Sequence, residues 1–481
     1  MAATPQTFDP TNVQGDVLPG LPKRVQHYLL FQIDDDVAAF RKRLNLLIPL
    51  ITTTAEVQDH RAKIAAYKKA ATALGIILPP LPMWGVNIAF SHSGLVKLGM
   101  NDDIGDTAFT KGQLADSKSL GDPGASGKDD TFTPDWITQF KNPIHGVIII
   151  SGDSHLSVDA AHTTVSSIFN IGFQPTLHEA LTLKGSIRPG DQKGHEHFGF
   201  LDGISQPAVK DFDTKPDPGQ ETVRQGVILC GRENDADART GKPFVRPAWA
   251  LDGSFLTLRY LAQLVPEFNN FLKASEDPLH GLTADLIGAR LMGRWKSGAP
   301  TDLFPLQDNP AAGMDPAQRS NFTYDPSSQD RCPFAAHTRK ANPRADLESK
   351  GFSTENRRII RRGIQFGPEV TAEEAASGKT QHDRGLIFVA YSGSITNGFQ
   401  FIQKSWANNT KFPIDKPVDP GFDPVIGQNG ADSVRLRSMT GVHPDNTGES
   451  FPLPADWVVP KGGEYFFSPS ISALRSTFAL A

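Results

Sequence analysis

Midway along the chain a Pro- and Asp-rich run, DTKPDPGQET at residues 213–222, interrupts all apolar periodicity, and related patterning stands on both sides of it. On the N-terminal side, Val25 to Asp34 (VQHYLLFQID) reads as a strand, and Asp35 to Leu50 takes helical spacing. Thr54 to Leu74 predicts a second helix, Gly85 to Ser91 a strand and His92 to Leu98 a helix start. Pro134 to Phe140 reads as helical, His145 to Ser151 as a strand, and Ser157 to Asn170 as a helix. On the C-terminal side, Gly226 to Gly231 (GVILCG), Ser254 to Tyr260 and Gly385 to Tyr391 predict strands, with helices over Leu261 to Ser275 and Thr283 to Leu291. Strands and helices mixed with long connections fit an α+β class better than a doubly wound sheet. No repeat is visible in the residues themselves. The two β-α-β patterns nevertheless predict two similar α+β domains, residues 1–220 and 221–481. Residues 296–358 are polar, turn-rich and nearly devoid of periodic apolar character, which marks a functional connection.

Composition narrows the classes. A formal net charge of -5 gives no electrostatic reason to expect nucleic acid or an anionic membrane as partner. With only Cys230 and Cys332 there is no disulfide framework. The longest apolar runs, such as GVIII at Gly146 to Ile150, are strand length and far short of a bilayer span, so the expectation is a soluble protein. The N-terminal residues have neither a basic n-region nor an apolar h-region. Localisation stays open between extracellular, with a signal removed, and cytoplasmic.

Three stretches carry chemistry. CPFAAHTRKANPR, Cys332 to Arg344, sets His337 among small residues with basic side chains following. An imidazole so placed can ligate a metal or a haem iron, the alanines let a flat group approach the backbone, and Arg339 could meet an anionic edge. The bland alternative is one structural histidine among 13. GFLDGISQP, Gly199 to Pro207, places Asp202 in a turn, though Asp-Gly is also an ordinary hairpin turn. RRGIQFGP, Arg361 to Pro368, predicts one arginine facing inward and one solvated, with a structural ion pair as the alternative. Two lesser signals compete. Gly-Asp-Ser at Ser154 would suit a serine esterase with His443 as partner, and His195 with His197 could be called a metal pair, but i, i+2 spacing better suits support of the Asp202 loop.

In that order, GFLDGISQP, CPFAAHTRKANPR and RRGIQFGPE resemble the dye-decolourising peroxidase family of haem enzymes, in its fungal branch. The resemblance runs from NVQGDVLPGLPKR at Asn12 to Arg24 through DRGLIFVAYSGSITNGFQFIQKSWANN at Asp383 to Asn409. It implies two ferredoxin-like domains with antiparallel sheets, a dimeric α+β barrel-like arrangement, and haem in the C-terminal one. It implies a peroxidase in which hydrogen peroxide oxidises the haem to an oxoferryl porphyrin-radical state, restored by one-electron donation from dyes, phenols and other small or bulky aromatic reductants. The cofactor implied is haem b, one per chain, in a monomer or homodimer.

By the same resemblance His337 is the proximal iron ligand and Asp423 the carboxylate behind it, with Asp415 and Asp419 as nearby alternatives. Asp202 is the distal proton shuttle, a carboxylate that titrates near pH ~4 and so favours acid activity. Arg361 is the distal cation. Arg339 is a propionate contact, Gly203 and Ile204 adjoin the cofactor, and Leu386 and Phe388 cover its distal face. Trp406 is a surface electron relay, with buried packing as the alternative. Two departures stand out: Phe366 replaces a tyrosine that some relatives carry, and QGVILCG lacks their Pro-Gly-Glu. A haem carrier or iron-releasing protein with the same axial histidine is the other reading.

Overall fold

A computed structural model describes residues 8–129, 131–430 and 436–480. Nine strands form its main sheet: β1 Val25–Ile33, β2 Trp84–Ser91, β3 Gly146–Gly152, β4 Leu177–Ser186, β5 Ser254–Gln263, β6 Ile360–Arg361, β7 Ile364–Phe366, β8 Gly385–Ser392 and β9 Val458–Ser468. Their spatial order is β4-β1-β3-β2-β9-β5-β8, with β6 and β7 lying in succession along the outer side of β8. Every ladder is antiparallel.

Each half repeats one plan. Counting strands within a half, the order is fourth, first, third, second in both, and a helix follows the first strand: Val37–Leu47 after β1 and Val265–Ala274 after β5. This is the α+β class expected from the patterning, in the ferredoxin-like arrangement that the family resemblance implies. The halves join where β9 pairs with β2, Phe466 opposite Ser91 and Phe467 opposite Phe90, so one sheet crosses the molecule. At its two ends β4 and β7 come close: a Cβ at Gly185 would stand 2.4 Å from Ile364 Cγ2 and 2.9 Å from the Gln365 carbonyl oxygen. No ladder joins them among the described residues, and the barrel is not closed.

Strand alternation distributes side chains between two cores. Leu29, Phe31 and Ile33 of β1 pack with Ile148, Ile150 and the helix residues Phe40, Leu44 and Val158, while Tyr28 and Leu30 pack with Ile149, Leu256, Leu258 and Phe466. Because both faces are covered, β3 reads as an unbroken apolar run rather than an alternation. A third core, with Phe268, Leu286, Leu291 and Trp457, extends to Ala335 and so anchors the segment before His337.

Some expected elements differ. GVILCG is a 3-10 turn at Gln225–Val227 followed by turns, and it packs so closely on the 232–235 backbone that a Cβ at Gly226 would stand 2.2 Å from the Asp235 nitrogen. Pro134 to Phe140 splits into a short strand, Phe132–Pro134, and a 3-10 turn, Thr138–Lys141. Leu261 to Gln263 continue β5, and the helix starts only at Val265. Sequence reading missed β4, whose partly exposed face is polar, and β9, broken by a register shift between Pro460 and Gly462. Among the described residues no helix is long and apolar enough to cross a membrane.

Candidate active site

Cys332, Phe334, Ala335 and Ala336 are each 1 % exposed or less, and this packed run delivers His337 to the start of the short helix His337–Ala341. Gly293, left-handed at φ +84, ends the helix Ala284–Met292 and lets that segment come close: a Cβ there would lie 2.2 Å from Thr338 Oγ1. His337 Nδ1 hydrogen-bonds Asp423 Oδ2 at 2.9 Å. The other Asp423 oxygen accepts the backbone N–H groups of Val425 at 2.8 Å and Ile426 at 2.9 Å. Burial raises the Asp423 carboxyl, but His337 and those amides outweigh it and hold it below its ordinary value. Burial likewise lowers the His337 imidazole, and the charge and hydrogen bond of Asp423 reverse the sign. Asp415 instead pairs with Lys350 at 2.5 Å on the surface, and the Asp419 carbonyl accepts from Thr440, so Asp423 is the carboxylate behind the imidazole.

Across a cavity of about 260 Å³ lies the second cluster. Arg361 Nη1 donates to Asp202 Oδ1 at 2.6 Å, and Gly203 N–H donates to the same oxygen at 2.6 Å. Gly203 adopts φ +80, which bends the backbone back over the carboxylate. Arg361 Nη2 donates to the Ile204 carbonyl at 2.8 Å. Gln206 holds the Arg361 backbone from both sides, accepting its N–H at 3.0 Å and donating to its carbonyl at 3.1 Å. Burial pushes the Asp202 carboxyl up, yet the Arg361 charge, the Gly203 amide and the Arg361 hydrogen bond together keep it below the ordinary carboxylate range. Arg362 is not solvated as expected; its guanidinium donates to the carbonyls of Asp16 at 3.0 Å and Val17 at 3.1 Å.

Ile204, Leu386, Phe388, Phe399 and Val425 make the cavity walls apolar, and Arg294 and Arg344 bring guanidinium groups to them. Arg339 does not. It is 1 % exposed, pairs with Asp346 through Nε and Nη2 at 2.7 and 2.8 Å, and gives its remaining donors to the carbonyls of Ser328, Cys332 and Asp325. The reason is helical phase: two residues beyond His337 lies the opposite side of the helix. Arg344, beyond the helix end at a positive φ of 47, turns back to the cavity and is the cation that sequence reading missed in its own motif. Trp406 is also corrected. At 3 % exposure it stacks on Phe412, centroids 5.1 Å apart and planes 8° apart, so it offers no surface contact.

The lesser signals resolve. Ser154 caps the helix His155–Ile168, and its hydroxyl meets Ser157 rather than a histidine. His197 Nε2 bonds the Phe366 carbonyl at 2.8 Å, bracing the loop before Asp202. Among the described residues no group of His, Cys, Asp and Glu side chains could hold a metal ion on its own.

These residues fit haem. His337 Nε2 has no hydrogen-bond partner among the described residues and borders the cavity, the walls suit a flat apolar ring, and the guanidinium groups suit its two carboxylates. A proximal imidazole backed by a carboxylate, opposite an acid and a fixed cation, defines the class of haem peroxidases. The family model described as the DyP dimeric alpha+beta barrel domain matches residues 12–189, and the Dyp-type peroxidase C-terminal model matches residues 292–416. A dye-decolorizing peroxidase of Exidia glandulosa is 42 % identical over 97 % of this chain and 87 % of its own length. The dye-decolorizing peroxidase AauDyP1 of Auricularia auricula-judae is 42 % identical over 98 % and 87 %. Among solved structures, an ancestral D-type dye decolorizing peroxidase superposes with a TM-score of 0.90 at 54 % identity over 99 % of this chain and 100 % of that one. A Pleurotus ostreatus enzyme superposes at 0.92 with 45 % identity over 99 % and 100 %. The chain belongs to the dye-decolorizing peroxidase family: it is a haem peroxidase, an oxidoreductase acting on hydrogen peroxide.

Proposed function

We propose that the cavity holds haem b, one per chain, within the domain of residues 221–481, with Asp202 reaching it from the domain of residues 1–220. His337 Nε2 is the iron ligand and Arg344 and Arg294 receive the carboxylates. The observation that carries this reading is the open ring nitrogen of a carboxylate-backed imidazole facing the Asp202–Arg361 pair across one apolar cavity. Bound haem supplies the redox chemistry, taking two oxidising equivalents from hydrogen peroxide and passing them on in one-electron steps.

The chain's own part is proton and charge management. Asp202 Oδ1 is occupied by Arg361 and Gly203, which leaves Oδ2 to take the proton from one peroxide oxygen and return it to the other. Because Asp202 is held below the ordinary range, it keeps its basic form at acidic pH. Arg361 cannot lose its proton, and it stabilises the negative charge that develops as the O–O bond breaks. Asp423 fixes the tautomer and orientation of His337. Leu386 and Phe388 keep the site narrow, favouring peroxide over larger molecules.

The reductants are dyes, phenols and related aromatics. A solved dye-decolorizing peroxidase 41 % identical to this chain was obtained in complex with 2,6-dimethoxyphenol. A haem carrier or iron-releasing protein would need neither Asp202 nor Arg361, and the deferrochelatase of Yersinia pestis matches at 25 % identity over only 37 % of this chain. In stopped flow, Asp202→Asn should slow the peroxide-dependent change in haem absorbance by roughly 10²–10⁴-fold with haem still bound. An unchanged rate removes Asp202 from the chemistry.

A further inference from the structure

Lys340 has no part in the chemistry described so far. It lies one turn beyond His337 on the same helix face and is 0 % exposed. Its ammonium donates three hydrogen bonds, to the carbonyls of Trp406 at 3.1 Å, Asn409 at 2.7 Å and Gly421 at 2.6 Å. All three protons are therefore used. Among the described residues no carboxylate lies within ion-pair distance of it, and the acid whose charge reaches it is Asp423. A buried ammonium resting only on carbonyl groups is costly to desolvate, so a methionine of similar length would be the cheaper filler.

The three carbonyls belong to the two chain segments that build the wall behind His337. Trp406 lies in the last turn of the π-helix Ile402–Ala407, whose residues Ile402 and Gln403 line the cavity, and Asn409 follows it. Gly421 precedes Asp423 by two residues. These segments are laced together by Asp423 N–H to the Ala407 carbonyl at 2.9 Å and Gly421 N–H to the Thr410 carbonyl at 2.8 Å. Lys340 is the point at which the helix of the ligand is tied to both. Gly421 itself, at φ +95, passes close to the Ser438 carbonyl, where a Cβ would stand 2.3 Å away, so only glycine brings its own carbonyl to Lys340 along this path.

We propose that Lys340 is a positioning residue: by pinning the His337 helix to the segments at Trp406–Asn409 and Gly421, it sets the His337–Asp423 hydrogen bond and with it the donor strength of the imidazole. This rests on His337 being the iron ligand.

The test uses the haem-loaded protein and three variants: Lys340→Met, Asp423→Asn and the double substitution. In the ferrous protein the iron–histidine stretching band, read by resonance Raman, should move to lower frequency in Lys340→Met and in Asp423→Asn. The double variant should sit where Asp423→Asn sits, since Lys340 acts through Asp423. Haem affinity should fall by about 10-fold in Lys340→Met, the lower end of what loss of a ligand's supporting partner costs. A merely structural lysine would lower the melting temperature and leave the band in place, which overturns the proposal, as does a double variant whose shift is the sum of the two singles. If Lys340→Met does not fold, Lys340→Leu, which likewise donates nothing, takes its place under the same criteria. An unsubstituted protein without a Soret band on reconstitution would instead sink the haem ligation itself, so the two failures are distinguishable.

Discussion

At the residue scale, two arginines of one motif separate fold from function. Arg339, spent on buried Asp346 and three carbonyls, holds the loop together. Arg339→Met should cost roughly 1–3 kcal/mol by leaving three buried carbonyls without their donor and Asp346 with Lys416 as its remaining cation, measured by denaturant melts, while folded protein keeps its haem spectrum. Arg344→Leu should do the reverse: reduced haem retention on gel filtration with the larger part of the stability kept. The distal pair yields a pH prediction. Arg361 lowers the Asp202 pKa, so removing it raises that pKa, and the acid limb of the peroxide reaction in Arg361→Gln should move to higher pH than in the unsubstituted protein. An acid limb that stays in place would separate Asp202 from that titration. His337, Asp202 and Arg361 each sit in a short motif of distinctive composition and could be singled out from the sequence, whereas Asp423 came only from the family resemblance, with Asp415 and Asp419 beside it, and the hydrogen bond to His337 singles it out. Arg344 and Gln206 were in the same motifs and went unread, since nothing local says that the first would face the cavity and the second would hold the Arg361 backbone.

At the element scale, the short helix His337–Ala341 depends on its neighbour. The helix Ala284–Met292 ends at Gly293, whose missing Cβ leaves room for Thr338. Gly293→Ala places a methyl group into that contact and also strains a left-handed backbone, so a loss of roughly 1–3 kcal/mol is expected, with a weakened Soret band beyond what unfolding explains. Equal haem content per folded molecule would show that the ligand helix tolerates the shift. The strands most readily predicted, β1, β3 and β8, are those whose residues bury one or both faces within a single run. β4 and β9 were missed for a physical reason: the partly exposed face of the first is polar, and a register shift at Pro460–Gly462 breaks the alternation in the second.

At the scale of the whole molecule, the site exists only because the sheet is continuous through both halves. Asp202 precedes the boundary run and His337 follows it, yet they face each other across one cavity. Phe467, opposite Phe90 where the halves pair, is fully buried against Phe255 and Trp249. Phe467→Ala should cost roughly 3–5 kcal/mol and lower the transitions seen by far-UV circular dichroism and by Soret loss together. Transitions that part company would mean the halves unfold independently. By itself the sequence determined the α+β class, the doubled plan and the three chemical motifs, because apolar period and turn composition are local properties of the chain. Only the tertiary structure decided that β9 would pair with β2, that Arg344 rather than Arg339 would face the cavity, that Trp406 would be buried, and that Lys340 would sit behind the His337–Asp423 pair. Those outcomes depend on helix phase and on contacts between residues far apart in the chain, which no local pattern encodes.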